Sequence, residues 1–278
     1  MLDLHLHSLI SDGEFTPSEV VKKAKQNGVS ILSLTDHDSI GGIEEAEETC
    51  KKLGIQFIPG VELEASTDIT RSRYIHILAY NFSNKKVLDD YLHTLRQERI
   101  DNIIKYVELL NSLGIYTSFE EIDDLTPGLH ITAYHIPRLL CQKGYYDSFS
   151  KAKKDFINPD GKYYIERNYY DVKFIINLIL KSGGVPVLAH PCRLPQKGLE
   201  LDNYVSYLKQ VGIVGIETYY KAHTSEEVLF YETLAQKYDL IQTSGSDWHC
   251  ENDLPIGLTP PNENEIISNL LNYNKENC

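Results

Sequence analysis

No CxxC pair occurs in the sequence. The five cysteines, Cys50, Cys141, Cys192, Cys250 and Cys278, are odd in number and scattered over 278 residues. That argues against a disulfide framework and fits free thiols in a reducing compartment. No basic stretch followed by an apolar one opens the chain, so no signal peptide is expected. No apolar run approaches the roughly 18 residues of a membrane span, so none is expected, and the cytoplasm is the expected compartment. Positive charge is scarce: 27 Lys and Arg stand against 40 Asp and Glu, a net charge of −13. This balance argues against a long basic groove for nucleic acid but leaves room for a local basic pocket. No segment repeats at a fixed period.

What is present suits a folded enzyme. Hydrophobic residues make up 42% and charged residues 24%, ordinary for a globular chain with a real core. The length allows one large α/β domain or two ordinary ones. Leu2 to His7 alternates in the period of a strand. Thr16-Pro17-Ser18-Glu19 reads as a capping box with proline at the first helical position, and Gly28 ends that helix. Strands follow at 30–35, 56–61 and 73–82, with a helix over 43–53 stopped by Gly54. This rhythm predicts parallel βα units. Between residues 85 and 162 it gives way to helical patterns at 87–113, 119–125, 131–143 and 148–156, read as a helical insertion. Strands and helices alternate again from 171, with strands at 185–189, 213–217 and 240–243, and the polar tail carries one helix.

Only ten histidines occur, and two stand two residues apart in DLHLHSLISDG. Side chains at that spacing on a strand share a face, as would Asp247 and His249. The other expected strands also end near imidazole or carboxylate: His37, Glu62, His76 within its strand, and His190. Asp12 follows in the first loop. A lone HxH or DxH is a weak signal, and His76 alone reads as structural. Their joint occurrence points to metal, because burying so many ionisable groups without a cation is expensive. Imidazoles and carboxylates without thiolate suit Mn, Fe or Zn. Cys192 and Cys250, beside expected ligands, are read as pointing away from them. His93 and His130 are read as surface residues.

The stretches DLHLHSLISDG, LSLTDHDSIGG, FIPGVELEA, YIHILAY, VLAHPCRL, GIETYY and TSGSDWH, in that order across residues 3–249, resemble the polymerase and histidinol phosphatase (PHP) family. The resemblance implies an α/β fold, a distorted seven-stranded (β/α) barrel, formed by 1–84 and 163–278 around a helical insertion subdomain at 85–162. It implies two or three divalent ions: one held by His5, His7 and Asp247, a second by His76 and His190 with Glu62 bridging, a third by Asp12, His37 and His249. The inserted helices resemble the subgroup acting on nucleoside 5′-monophosphates, 3′,5′-bisphosphonucleotides or short RNA 5′ ends. ITAYHIPRLLCQKGY resembles that subgroup's Arg-x-His-x-x-Arg segment through His135 and Arg138, with Ala133 where the first arginine stands. Lys162 resembles a basic-loop residue, Arg193 a phosphate-binding arginine, and His223 a phosphate contact or proton donor. Glu217 is a candidate to orient a ligand histidine.

The expected activity is hydrolysis of a nucleotide phosphate monoester, with a metal-bridging hydroxide as nucleophile and Arg193 and His223 as catalytic residues. The expected partner is a small phosphorylated substrate, a nucleotide or short RNA, with no membrane. Three alternatives stand beside it: a 5′→3′ exonuclease on short RNA, a histidinol-phosphate phosphatase, and a non-catalytic metal- or nucleotide-binding module.

Overall fold

The structure is a computed structural model. It describes residues 1–66, 74–125, 131–168 and 170–276, the last three as backbone. His130 lies outside the described residues. The chain divides into two compact units, Met1–Asp89 with Tyr169–Cys278, and Asp90–Asn168.

In the first unit, Thr16 caps α1 (Pro17–Gln26): its side chain accepts the Glu19 N–H, and Glu19 reaches back to the Thr16 backbone. Pro17 sits where no backbone donor is needed. The α2 helix (Ile43–Leu53) ends on Gly54 at φ +66°, the left-handed stop that glycine adopts without strain. Eight strands among the described residues pair as two sheets. The smaller holds β1 (Leu2–Asp3), β2 (Ile31–Leu32) and β3 (Gln56–Phe57), all parallel. The larger runs β4 (Gly60–Ala65), β5 (Ile75–Tyr80), β6 (Val185–Leu188), β7 (Gly215–Tyr220), β8 (Ile241–Gly245).

Two features depart from a parallel βα series. The stretch expected as one strand over 56–61 splits at Ile58-Pro59, because Pro59 has no N–H for a ladder. And β5 runs antiparallel to both β4 and β6. Residues 66–74 are too few for the crossover of roughly a dozen that a parallel return needs. The pairing also differs from a closed ring of seven strands. Beyond β1 and β2, side chains replace ladder carbonyls: the Leu6 N–H donates to Thr35 Oγ1 at 3.2 Å and the Ser8 N–H to Asp36 Oδ1 at 2.7 Å. Isolated parallel bridges, Leu6–Trp248 and His37–Glu62, link the two sheets.

Helices α7 (Val172–Lys181), α8 (Leu199–Gln210) and α9 (Ser225–Lys237) alternate with β6 to β8. Leu2, Leu4, Leu78, Tyr80, Val185 and Val187 pack with Ile266, Ile267 and Leu270 of α10 (Glu263–Glu276) as one buried core. The Tyr80 hydroxyl, buried in it, donates to the Leu4 carbonyl at 2.8 Å. A second core places Leu6, Val20, Val21, Leu32, Ala46 and Trp248 together.

The second unit contains most of α3 (Lys85–Ser112), with α4 (Phe119–Asp123), α5 (His135–Gln142) and α6 (Phe149–Phe156). Its core includes Ile103, Tyr106, Leu110, Ile136, Leu140 and Phe156. No helix among the described residues is long and apolar enough to cross a membrane.

Candidate metal centre

The first strand continues as extended chain through His7, so His5 and His7 share a side, with ring centroids 5.2 Å apart. The loop carrying Asp12 is fastened by Asp36, which accepts from the Ser8 backbone and hydroxyl and from the Ser11 hydroxyl, each at 2.7 Å. Glu62 lies within β4, opposite His37 in the parallel bridge. The reversal of β5 explains His76. It is the second residue of its strand, and reversal brings that end beside the segment where β6 finishes: the Ala189 N–H donates to the His76 carbonyl at 3.1 Å. Two of the candidate ligands leave their strands in left-handed backbone, His190 at φ +26° and Asp247 at φ +56°. Strain of this kind persists only where surrounding contacts fix it, and it concentrates at functional sites. Asp247 and His249 therefore lie beyond β8, which ends at Gly245, rather than on one strand face.

Glu62 occupies the middle. Its Oε2 lies 3.3 Å from His5 Nε2, 3.3 Å from His7 Nε2 and 3.0 Å from His37 Nδ1. Its Oε1 lies 2.9 Å from His76 Nδ1 and 3.0 Å from His190 Nε2. Asp247 Oδ1 faces His7 Nε2 at 3.1 Å and His5 Nε2 at 3.4 Å. Asp12 Oδ1 faces His249 Nε2 at 3.3 Å, and its other oxygen faces His37 Nε2 at 3.8 Å. Donor atoms gather into three groups: His5, His7, Glu62 and Asp247; His37, Glu62 and His76; His7, Asp12, His37 and His249. His37 thus reaches two groups, and His190 joins Glu62 and His76 by direct contact.

These residues fit a cluster of divalent cations. His5 Nε2, His7 Nε2 and Glu62 Oε2 are buried, and none makes a hydrogen bond of acceptable geometry despite close neighbours. These atoms converge on shared space, the arrangement cation ligands need. The electrostatics agree. Burial raises the Glu62 and Asp247 carboxyls, but the surrounding imidazoles outweigh it and hold both well below the usual range. Burial lowers His5, but Glu217, Glu62 and Asp247 hold it well above its ordinary value. His249 is raised to about 9 by Asp12 against its burial.

Three further carboxylates brace the candidate ligands. Glu217 Oε1 accepts from His5 Nδ1 at 3.0 Å, which turns the Nε2 lone pair toward Glu62 and Asp247. Asp3 accepts the Ser246 N–H at 2.9 Å and the Gly257 N–H at 2.7 Å, fixing the turn before Asp247. Asp36 does the same for the Asp12 loop. The sequence flagged only Glu217; the pattern D-x-H-x-H and the pair Asp36-His37 were the available signals for the other two.

Other expected site residues divide by unit. Arg193 lies against the cluster, with Nη2 2.5 Å from Asp247 Oδ2. His223 has its Nδ1 2.9 Å from the Thr218 carbonyl, and burial lowers it below its ordinary value. Neither Cys192 nor Cys250 belongs to any of the three donor groups. His135, Arg138 and Lys162 belong to the second unit. His135 is buried at the start of α5 with Nδ1 2.8 Å from the Thr132 carbonyl; Arg138 and Lys162 are exposed, as is His93.

The PHP domain profile matches residues 3–179, well over half of the chain. This chain belongs to the PHP domain family. It is 30% identical to a 5′-3′ exoribonuclease of Haemophilus influenzae, over 89% of each chain. It is 27% identical to a 3′,5′-nucleoside bisphosphate phosphatase of Chromobacterium violaceum, over 89% of this chain and 87% of the relative. A solved structure of an amidohydrolase from Chromobacterium violaceum with bound sulfate and no metal superposes with a TM-score of 0.79, at 26% identity and 96% coverage of both chains. With the donor cluster above, this PHP protein is a metal-dependent phosphoesterase.

Proposed function

We propose that this PHP phosphoesterase hydrolyses a phosphate monoester of a nucleotide, of the nucleoside monophosphate or 3′,5′-bisphosphonucleotide type. The observation that carries the reading is the ion-pair geometry at one carboxylate: Asp247 turns Oδ1 to the histidines and Oδ2 to Arg193. A phosphoryl group bound at the cations would therefore meet a guanidinium fork beside them, which matches phosphate oxygens. The name of the Chromobacterium violaceum relative supports the nucleotide class.

In this reading His5, His7 and Asp247 would hold one ion, His76 and His190 a second with Glu62 shared between the two, and Asp12, His37 and His249 a third. Mn, Fe and Zn all suit such ligands. When bound, the ions supply a water acidic enough to attack at neutral pH and positive charge for the phosphoryl oxygens. Arg193 binds and orients the phosphate. His223 presents Nε2, which is buried and carries no hydrogen bond, while Nδ1 is engaged by the Thr218 carbonyl. Nε2 is thus the atom that takes up a proton and gives it to the leaving oxygen. His135, Arg138 and Lys162 are assigned to substrate binding by resemblance. The linking bridges Leu6–Trp248 and His37–Glu62 support reading the two sheets as one distorted seven-stranded barrel, with the helical insertion as its appended subdomain.

A 5′→3′ exonuclease on short RNA is the second reading, favoured by the name of the Haemophilus influenzae relative. The net charge of −13 suits di- and trinucleotides better than long polymers. The test is release of phosphate and of mononucleotide with Mn²⁺ from AMP, 3′,5′-bisphosphoadenosine, a 5′-phosphorylated trinucleotide, histidinol phosphate and p-nitrophenyl phosphate, with a chelator control. Chelator-sensitive release from the mononucleotides supports the proposal. Stepwise mononucleotide release from the trinucleotide supports the second reading. Release only from histidinol phosphate, or from no ester by metal-loaded protein, overturns both.

A further inference from the structure

Tyr220 is the shared neighbour of four residues at the centre. Its side chain is almost fully buried at the end of β7. Its hydroxyl accepts from Arg193 Nη2 at 2.6 Å and donates to Asp247 Oδ2 at 3.3 Å. The Arg193 guanidinium carbon lies 5.5 Å from the centre of its ring. The same ring packs 6.1 Å from His190 and, edge to face, 5.1 Å from His223.

The Arg193 side chain is about half exposed, at 52%. A long cation in that position would ordinarily sample many rotamers, and fixing it costs up to about 2 kcal/mol of side-chain entropy. The Tyr220 oxygen removes that freedom before substrate arrives. It occupies one guanidinium nitrogen from the protein side. The same nitrogen lies against the oxygen of Asp247 that does not face the histidines, and the rest of the fork is left with a set direction.

We infer that Tyr220 is a positioning residue that acts through Arg193, fixing the guanidinium where it meets a phosphate dianion at the cations. The inference rests on the phosphoesterase reading above and adds a residue that touches neither the reacting atoms nor the cations. Tyr220→Phe isolates the hydroxyl, because the phenyl ring keeps the contacts with His190 and His223.

The experiment is a double-mutant cycle on the full chain, read as the affinity for inorganic phosphate by calorimetry. Wild type, Tyr220→Phe, Arg193→Ala and the double variant are compared, each both Mn²⁺-loaded and chelator-treated. Metal content and the denaturation midpoint are recorded for each. In whichever form wild type binds phosphate, Tyr220→Phe should weaken it about tenfold, the size of one lost hydrogen bond to a charged group. Metal content and midpoint should stay at the wild-type level. In the Arg193→Ala background the same change should have no further effect, which is the signature of action through one partner. Turnover should show a raised KM with kcat within about threefold of wild type. Additive losses, an unchanged phosphate affinity, or wild-type protein that binds phosphate in neither form would each overturn the inference. Failure of the phosphoesterase reading is separate: it shows as phosphate binding with the expected coupling but no chelator-sensitive turnover.

Discussion

Glu217 and His5 form a buried pair, Oε1 to Nδ1 at 3.0 Å, while the second Glu217 oxygen accepts the backbone N–H of His190 at 2.7 Å. One carboxylate thus orients one imidazole of the candidate site and pins the strained turn that delivers another. Replacing it with an amide keeps the shape but puts an NH₂ where an acceptor is needed. Glu217→Gln should weaken metal affinity about 10–100-fold, in the range seen when such outer partners are lost. Metal retained after dialysis, measured by elemental analysis beside turnover, checks it. Full retention of metal would mean that Glu217 serves only the fold.

Glu62 contacts five imidazoles and joins two of the three donor groups. Added Mn²⁺ should therefore stabilise chelator-treated wild-type protein strongly. At a hundredfold excess over Kd one site contributes about 2.7 kcal/mol, or about 5–10 °C in a chain of this size. Glu62→Gln should lose most of that shift, together with turnover. Scanning calorimetry with and without Mn²⁺ separates the two proteins. An equal shift in both would place the cation elsewhere.

The parts of the candidate site that are legible in the sequence are those set by local rules. His5 and His7 share a strand face, and the Thr16–Glu19 box announces its helix through side chains three residues apart. What was not legible depends on pairing across the chain. The antiparallel turn of β5 decides that His76 meets Glu62 and His190, and nothing near His76 signals it. The left-handed backbone at Asp247 replaces the two-residue periodicity expected for Asp247 and His249. Asp3 and Asp36 are signalled only by the histidines beside them, and their role follows from the loops that they fasten. Tyr220 stands in one of several adjacent tyrosine pairs of the sequence, and nothing beside it marks it out.

Gly245 has no room for a side chain. A Cβ there would stand 2.2 Å from His5 Cβ and 2.8 Å from Glu217 Oε1. Neither neighbour can yield, since both are buried and paired with each other. Gly245→Ala should therefore destabilise the protein by about 1–3 kcal/mol and displace His5. Urea denaturation gives the first effect and metal affinity the second. A variant with wild-type values in both would show that β8 can shift away from His5.

His223 gives a pH dependence of known sign. Burial holds its folded-state proton affinity below the ordinary value, while unfolding returns it to about 6.5. The unfolded chain therefore binds more protons as pH falls below that value. The stability contributed by neutral His223 is present above about pH 6.5 and is lost as pH falls through its folded value. His223→Gln removes the titration and keeps a polar side chain. Urea midpoints of chelator-treated wild type and variant, compared at pH 7.5 and pH 5.5, check it. The advantage of wild type over variant should narrow at the lower pH. A constant gap would show that burial does not shift His223, and a gap that widens on acidification would show that it is charged in the folded protein.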